Sequence, residues 1–178
     1  MTTTDSRRAA SPAPEVALIV GGGPGISASC ARLFAQSGLS VAMAARRPDK
    51  PVLQALAQSH GVRTYGCDAA DAASVAALFD QVTRELGAPR LVVHNIDGRV
   101  PGIFRKGITE ADPAFALDTL RNAAFSAFLV GQQAARALLA NPPDANGARG
   151  TFVITNASAA LKGFPASGAF AMACQAKT

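Results

Sequence analysis

The sequence predicts an α/β protein, a doubly wound parallel sheet with helices on both faces. Three observations carry that expectation. From Glu15 onward, short apolar runs alternate with stretches of helical periodicity. The first run, Val16-Ala17-Leu18-Ile19-Val20, is apolar throughout, as a strand buried on both faces requires. That run leads directly into a glycine cluster and then a helix. Strands alternating with helices imply right-handed crossovers, hence parallel neighbours, and the expected strand order is 3-2-1-4-5.

Each element has a local cause. Gly21 to Gly25 break the first strand, and the helix that follows, about 25–37, stops at Gly38 in a C′ position. Leu39 to Ala45 reads as the second strand, Asp49 to Ser59 as a helix, and Val62 to Cys67 as the third strand. Asp71 caps a helix whose Val75, Leu78, Phe79, Val82 and Leu86 share one face. Gly87-Ala88-Pro89 ends it, and Leu91 to His94 is the fourth strand. After a glycine- and proline-rich loop, Asp112 and Pro113 supply an N-cap and first-turn proline for one long helix, 113–140. Thr151 to Thr155 is the fifth strand, and a last helix begins near Ser167 and runs to the end. Residues 1–14 read as a disordered tail without the apolar stretch of a secretory signal, and 15–178 as one domain.

Composition narrows the function. With 49% apolar and 16% charged residues, the chain is no disordered segment. Its apolar runs fall short of the ~20 residues of a membrane span. The net charge of +5 invites a nucleic-acid reading, but the basic residues are scattered and the chain has one Tyr and no Trp to stack on bases. No nucleic-acid or membrane partner is expected; an anionic small ligand accounts for part of the charge. The three cysteines make no CxxC pair, and only two histidines are present. This points to no metal site, no disulfide framework and a reducing, cytoplasmic setting. The 113–140 helix holds only Asp118, Arg121 and Arg136 as charges, too few for a solvated outer face, so a homo-oligomer built on it is expected.

The turn Gly21-Gly22-Gly23-Pro24-Gly25-Ile26-Ser27 carries the first chemical signal. Glycines admit a phosphate close to the backbone, and the helix N-terminus is aimed at it. The spacing Gly21-x-x-x-Gly25-Ile26 resembles the glycine motif of the short-chain dehydrogenases/reductases, with Ser27 where most members have a third glycine. A divergent branch, the bacterial enoyl-acyl-carrier-protein reductases, carries Ser there. The resemblance covers about Glu15 to the end and implies a Rossmann-like fold whose last strands and substrate lid lie beyond Thr178. It implies cofactor contacts from Gly21, Gly23, Gly25 and Ile26, an adenine contact from Asp68 and Ala69, and a contribution from Asn95 in His94-Asn95-Ile96-Asp97, where the family has Asn-Asn-Ala-Gly. Asp97 brings charge and bulk where the family has glycine. At the end of the second strand, NAD sites place a carboxylate on the ribose 2′-hydroxyl, whereas this chain has Arg46, a cation suited to a 2′-phosphate. NADP(H) is therefore expected over NAD(H).

The family's Tyr, Lys, Ser and Asn are replaced. Gapless placement puts Phe170 at the Tyr, Cys174 at the Lys, Ala157 at the Ser and Ala123 at the Asn. Ser158 and Asn122 are neighbours of two vacant positions, but one residue along a helix turns a side chain by about 100°, which makes Asn122 a poor substitute. The spacing of the divergent enoyl reductases instead pairs Phe170 with Lys177. The resemblance thus implies Lys177 and Ser158 as catalytic candidates, with no metal. Two readings stay open: an NADP(H)-dependent oxidoreductase acting on a small carbonyl or enoyl substrate, and a catalytically silent dinucleotide-binding protein, a sensor or an assembly subunit.

Overall fold

The computed structural model describes residues 14–103 and 105–178, so the tail expected over 1–14 lies outside the described residues except for Pro14. Five strands, β1 (Val16–Val20), β2 (Ser40–Ala45), β3 (Arg63–Gly66), β4 (Pro89–His94) and β5 (Thr151–Ile154), form one parallel sheet in the order β3-β2-β1-β4-β5. The predicted topology is the observed one. Among the described residues, six α-helices surround it: α1 (Ile26–Gln36), α2 (Pro51–His60), α3 (Ala72–Leu86), α4 (Pro113–Leu120), α5 (Ser126–Ala140) and α6 (Gly168–Ala176).

The central strands β1 and β2 are buried on both faces, which is why they read as apolar runs. Leu18 and Val20 face Val75, Leu78, Phe79 and Val82 of α3 and Leu129, Val130 and Ala134 of α5. Ile19 faces the other way, toward Ala28 and Ala31 of α1 and Leu53 and Leu56 of α2. Each fully buried Leu, Ile or Val contributes on the order of 1.5–3 kcal/mol. Asp71 caps α3 by accepting from the Ser74 N–H at 2.6 Å, and Asp112 caps α4 through the Ala114 N–H at 2.8 Å. The register pairs Val20 with Ala44 on one side and His94 on the other, which levels three strand ends at one edge.

Two boundaries differ from expectation with consequences. β4 begins at Pro89, which has no N–H to donate and stands at the first strand position, beside a register irregularity between Val16 and Ala17. The long helix is not uniform: Arg121–Phe125 is π-helical and joins α4 to α5. Ser126 Oγ donates to the carbonyls of Asn122 and Ala123, competing for acceptors that a regular α-turn would use. Among the described residues no helix is long and apolar enough to cross a membrane, and no cluster of three or more His, Cys, Asp or Glu gathers as a metal site.

Candidate functional site

The carboxyl edge of the sheet begins with the glycine turn. Gly21 has φ +106°, and a Cβ there would strike the Asn95 carbonyl and lie 2.8 Å from Ile96 Cγ1. The Gly21 and Gly22 N–H groups both donate to the Ala44 carbonyl, at 3.0 and 2.8 Å. A Cβ on Gly23 or Gly25 would meet nothing within 4 Å. These two positions therefore face open space at the N-terminus of α1, the geometry a phosphate needs.

Ser27 has its own role in this turn. Its Oγ donates to the Gly21 carbonyl at 2.7 Å and accepts from Asn95 Nδ2 at 2.7 Å. Asn95 Oδ1 accepts from Thr155 Oγ1 at 2.8 Å, and the Asn95 N–H donates to the Val20 carbonyl at 2.8 Å. One chain of hydrogen bonds thus ties the turn after β1 to the ends of β4 and β5. Sequence reasoning had Ser27 as a departure from the usual glycine, matched in a divergent branch; the serine two residues after Gly25 was the signal for a turn clasp.

A cavity of about 430 Å³ opens beside the turn. Gly21, Arg46, Asp68, Ala69 and Asn95 line it, so five of the predicted cofactor residues share one cleft. Asp68 Oδ1 accepts from the Ala70 N–H at 3.0 Å, which fixes the turn after β3. Lys50 also lines the cavity and donates to the Gly22 carbonyl at 3.3 Å. The sequence reading missed it, although the run Arg46-Arg47-x-x-Lys50 offered a second cation one turn beyond the selecting position. Asn122, discounted in the sequence as a substitute for the family's Asn, lines the same cavity. The 100° argument assumed an α-helix, and this segment is π-helical; Ala123 is instead buried against Gly98.

A second cavity, about 160 Å³, is lined by Ile26, Ile96, Asp97, Phe170, Cys174 and Lys177 among others. Lys177 turns inward and its Nζ donates to the Ile96 carbonyl at 3.0 Å. Burial holds its amine below the usual lysine range, opposed by Cys174 and Asp97. Burial also pushes the Cys174 thiol up, so it is no thiolate at neutral pH. Asp97 is neutralised by Arg99, whose Nε donates to both carboxylate oxygens at 2.9 and 2.8 Å. The Arg99 guanidinium also stands over the Phe170 ring, 4.6 Å from its centroid. Ser158 is exposed at the start of a short 3-10 turn and lines neither cavity; its neighbour Ala157 does. Of the two catalytic candidates, only Lys177 lines a cavity.

His94 closes β4 fully buried, at 0% exposure, with Nε2 2.9 Å from Ser126 Oγ and Nδ1 without a hydrogen-bond partner. Burial pushes its pKa down to about 4, and the Lys177 charge adds to the shift. The folded pKa lies below the unfolded one, so this contribution is fully present above about pH 6.5 and is lost as pH falls toward 4. The expected loss is about 3 kcal/mol. Urea unfolding at pH 7.5 and 4.5 should show it for the wild type, and His94→Gln should remove that part of the slope.

Comparison with known proteins gives this geometry its context. The family model described as Enoyl-(Acyl carrier protein) reductase matches residues 21–177. An uncharacterized oxidoreductase of Caenorhabditis elegans is 39% identical over 89 residues, which is 47% of this chain and 28% of that protein. A protein of the same organism named as a probable 2,4-dienoyl-CoA reductase is 37% identical over 91 residues, 47% of this chain and 29% of that one. Among solved structures, a short-chain dehydrogenase/reductase from Serratia marcescens superposes with TM-score 0.76 at 24% identity, covering 92% of this chain and 64% of that one. A variant of actinorhodin polyketide ketoreductase with NADPH superposes with TM-score 0.79 at 23% identity, covering 92% and 60%. The chain thus spans under a third of the curated relatives it matches and under two thirds of these structures. A model match over 21–177, in agreement with the strand order and glycine turn described above, shows that the chain belongs to the short-chain dehydrogenase/reductase family of oxidoreductases.

Proposed function

We propose that the carboxyl-edge cleft binds NADP(H) in preference to NAD(H) and serves reduction of a small carbonyl or enoyl substrate. The observation that carries this reading is Arg46 at the end of β2, in one cavity with Lys50 and the Gly21–Gly22 backbone. Two cations there suit a ribose 2′-phosphate, and no carboxylate stands at position 46 to bind a bare 2′-hydroxyl. The open faces of Gly23 and Gly25 fit a pyrophosphate, and Asp68 and Ala69 fit the adenine edge. When bound, the cofactor supplies the hydride. The protein's own part is positioning. Gly21, Ser27 and Asn95 hold the turn, and Lys177, which lines the second cavity, is assigned the clamp on ribose hydroxyls in this reading. Lys177→Ala should weaken NADPH binding in calorimetry; unchanged affinity would make that lysine a structural clasp on Ile96 only.

The silent-protein reading has a specific observation too. The one tyrosine, Tyr65, is buried in β3, where it donates to Glu85 Oε2 at 3.0 Å, so no phenol reaches the cleft. NADPH consumption across a carbonyl and enoyl panel, with cofactor affinity measured separately, separates the two; binding without turnover favours the silent protein.

A homo-oligomer is proposed on the outer face of the α4–α5 run. Leu117, Phe125, Phe128 and Leu139 are 65, 46, 61 and 71% exposed, and the Phe125 and Phe128 rings stack at 6.4 Å. Exposed aromatic and aliphatic side chains on one helix face suit an isologous contact. Light scattering of the complete protein should give at least a dimer; a monodisperse monomer would refute it. The three free cysteines, Cys30, Cys67 and Cys174, suit a reducing cytoplasmic compartment.

A further inference from the structure

The chain has four lysines, Lys50, Lys106, Lys162 and Lys177. Lys106 and Lys162 are exposed, and Lys50 lies in the first cavity on the Gly22 carbonyl. Lys177 is the one that lines the second cavity, half-buried, its Nζ donating to the Ile96 carbonyl at 3.0 Å. Ile26, Ile96, Ala157 and Phe170 give that cavity apolar walls. Asp97 is the only carboxylate among its described lining residues, and Arg99 Nε donates to both of its oxygens. We propose that Lys177 is a covalent capture site for small aliphatic aldehydes: its amine forms an imine with an aldehyde whose alkyl chain lies along the walls of the second cavity. The amine and the cavity do not depend on a bound cofactor; in the reading above, NADP(H) and the aldehyde compete for one head group.

The amine is prepared for this by its surroundings. One N–H on the Ile96 carbonyl fixes the head group at the cavity wall. The other polar groups of the lining are occupied with one another: Thr155 Oγ1 donates to Asn95 Oδ1 at 2.8 Å, and Asn156 Nδ2 to the Cys174 carbonyl at 2.9 Å. A lysine desolvated in an apolar pocket is an activated nucleophile. Burial acts in that direction on Lys177 and holds its amine below the usual lysine range, against Cys174 and Asp97. The titratable and charged groups around it are His94 at the end of β4, Asp97 and Arg99 in the loop that follows, and Cys174 on α6. Cys174 is no rival for the aldehyde, because burial pushes its thiol up and keeps it protonated at neutral pH. A cavity of about 160 Å³ takes a ligand on the order of six heavy atoms, the size of a short-chain aldehyde.

The step is a condensation without redox change. The Nζ lone pair attacks the aldehyde carbon, an N–C bond forms, and the carbonyl π pair moves to oxygen. Solvent carries a proton from nitrogen to that oxygen, giving a carbinolamine. The hydroxyl then leaves as water, taking a solvent proton as the nitrogen lone pair forms the C=N bond; nitrogen loses its remaining proton to solvent. Amine and aldehyde thus give imine and one water. The apolar walls favour the alkyl chain and act on its length: each methylene moved out of water is worth about fourfold in binding. An exposed lysine has no such wall, so its reaction follows aldehyde reactivity alone.

The test traps the imine. The full chain is treated with acetaldehyde or butanal and sodium cyanoborohydride at neutral pH, and the alkylated lysines are quantified by peptide mass spectrometry. Lys177 should react with butanal faster than Lys106 and Lys162 by about tenfold or more, the effect of two methylenes against the wall. Its preference for butanal over acetaldehyde should exceed theirs by a similar factor. Ala157→Leu, which fills the cavity and leaves the amine, should erase that chain-length preference; Lys177→Arg should remove the adduct and leave labelling of Lys106 and Lys162 unchanged. Circular dichroism melts establish that each variant is folded. Labelling spread evenly over the four lysines overturns the proposal, as does a Lys177 rate that ignores chain length or a preference that survives Ala157→Leu. Saturating NADPH should slow labelling of Lys177 alone. Selective labelling that persists with NADPH bound supports the capture site and overturns the ribose clamp instead.

Discussion

Gly21→Ala is expected to cost a substantial part of the protein's stability. Position 21 has φ +106°, and its Cβ would be driven into the Asn95 carbonyl. Backbone strain of ~1–2 kcal/mol adds to an overpacking term of ~1–3 kcal/mol, against a total stability of roughly 5–15 kcal/mol. The atoms that would have to move are the backbone of Asn95 and Ile96, not a flexible side-chain tip. The clash therefore spreads to the bond between Asn95 and Val20, to the Ser27 clasp and to the site of Lys177 on Ile96. Urea melts should show a midpoint collapse, and the residual folded protein should bind no cofactor. Gly23→Ala is the control: its Cβ enters open space, so stability should change by less than about 1 kcal/mol while cofactor affinity falls. A folded, binding-competent Gly21→Ala would mean that the turn is not built as described.

Phe170→Tyr is expected to create a large new activity. From the sequence alone, a phenol at 170 stays near pKa ~10 unless a cation is close, and only the spacing to Lys177 offers one. The structure places two: Arg99 is 4.6 Å from the ring centroid, and Lys177 lines the same cavity as the ring. Both favour the phenolate and bring the phenol closer to neutral pH, where an acid exchanges its proton effectively. A general acid contributes typically ~10²–10⁴-fold. Ketone reduction by Phe170→Tyr should therefore rise by at least about tenfold and acquire a basic limb in its pH profile. Cys174→Lys is the less suitable route to a cation, because position 174 is 2% exposed and a longer charged chain would have to be buried there. A Phe170→Tyr protein that binds NADPH and gains nothing would show that Asp97 or the spacing of Lys177 blocks the substrate.

The sheet was legible because burial on both faces leaves an unmistakable trace. Leu18 and Ile19 point to opposite helix layers, so neither face needed polar residues and β1 appears as five apolar letters. Caps were equally plain, since Asp71 and Asp112 act through bonds of two or three residues' reach. What stayed hidden depends on contacts distant in sequence. The π-helical turn at Arg121–Phe125 carries neither Pro nor Gly; its partners are Gly98, some two dozen positions upstream, and the hydroxyl of Ser126. Missing it misdirected Asn122. Lys50 reaches Gly22, and Arg99 reaches Phe170, only because the sheet brings separate strand ends to one edge. Asp97, alarming as an isolated acid in the sequence, is one half of an ion pair with its neighbour Arg99.

The claim that Arg46 makes this cleft an NADP(H) site is tested most directly by titration calorimetry of the wild type and Arg46→Ala with NADPH and NADH. Arg46 lines the cavity beside Lys50, with its side chain exposed to an incoming phosphate. One charge-assisted contact is worth roughly 1.5–3 kcal/mol, which is about a 10- to 150-fold change in Kd. The account predicts that the wild type binds NADPH more tightly than NADH, and that Arg46→Ala loses that factor for NADPH alone, leaving NADH nearly unchanged. Equal affinity for the two cofactors in the wild type, or an NADPH affinity untouched by Arg46→Ala, would contradict it.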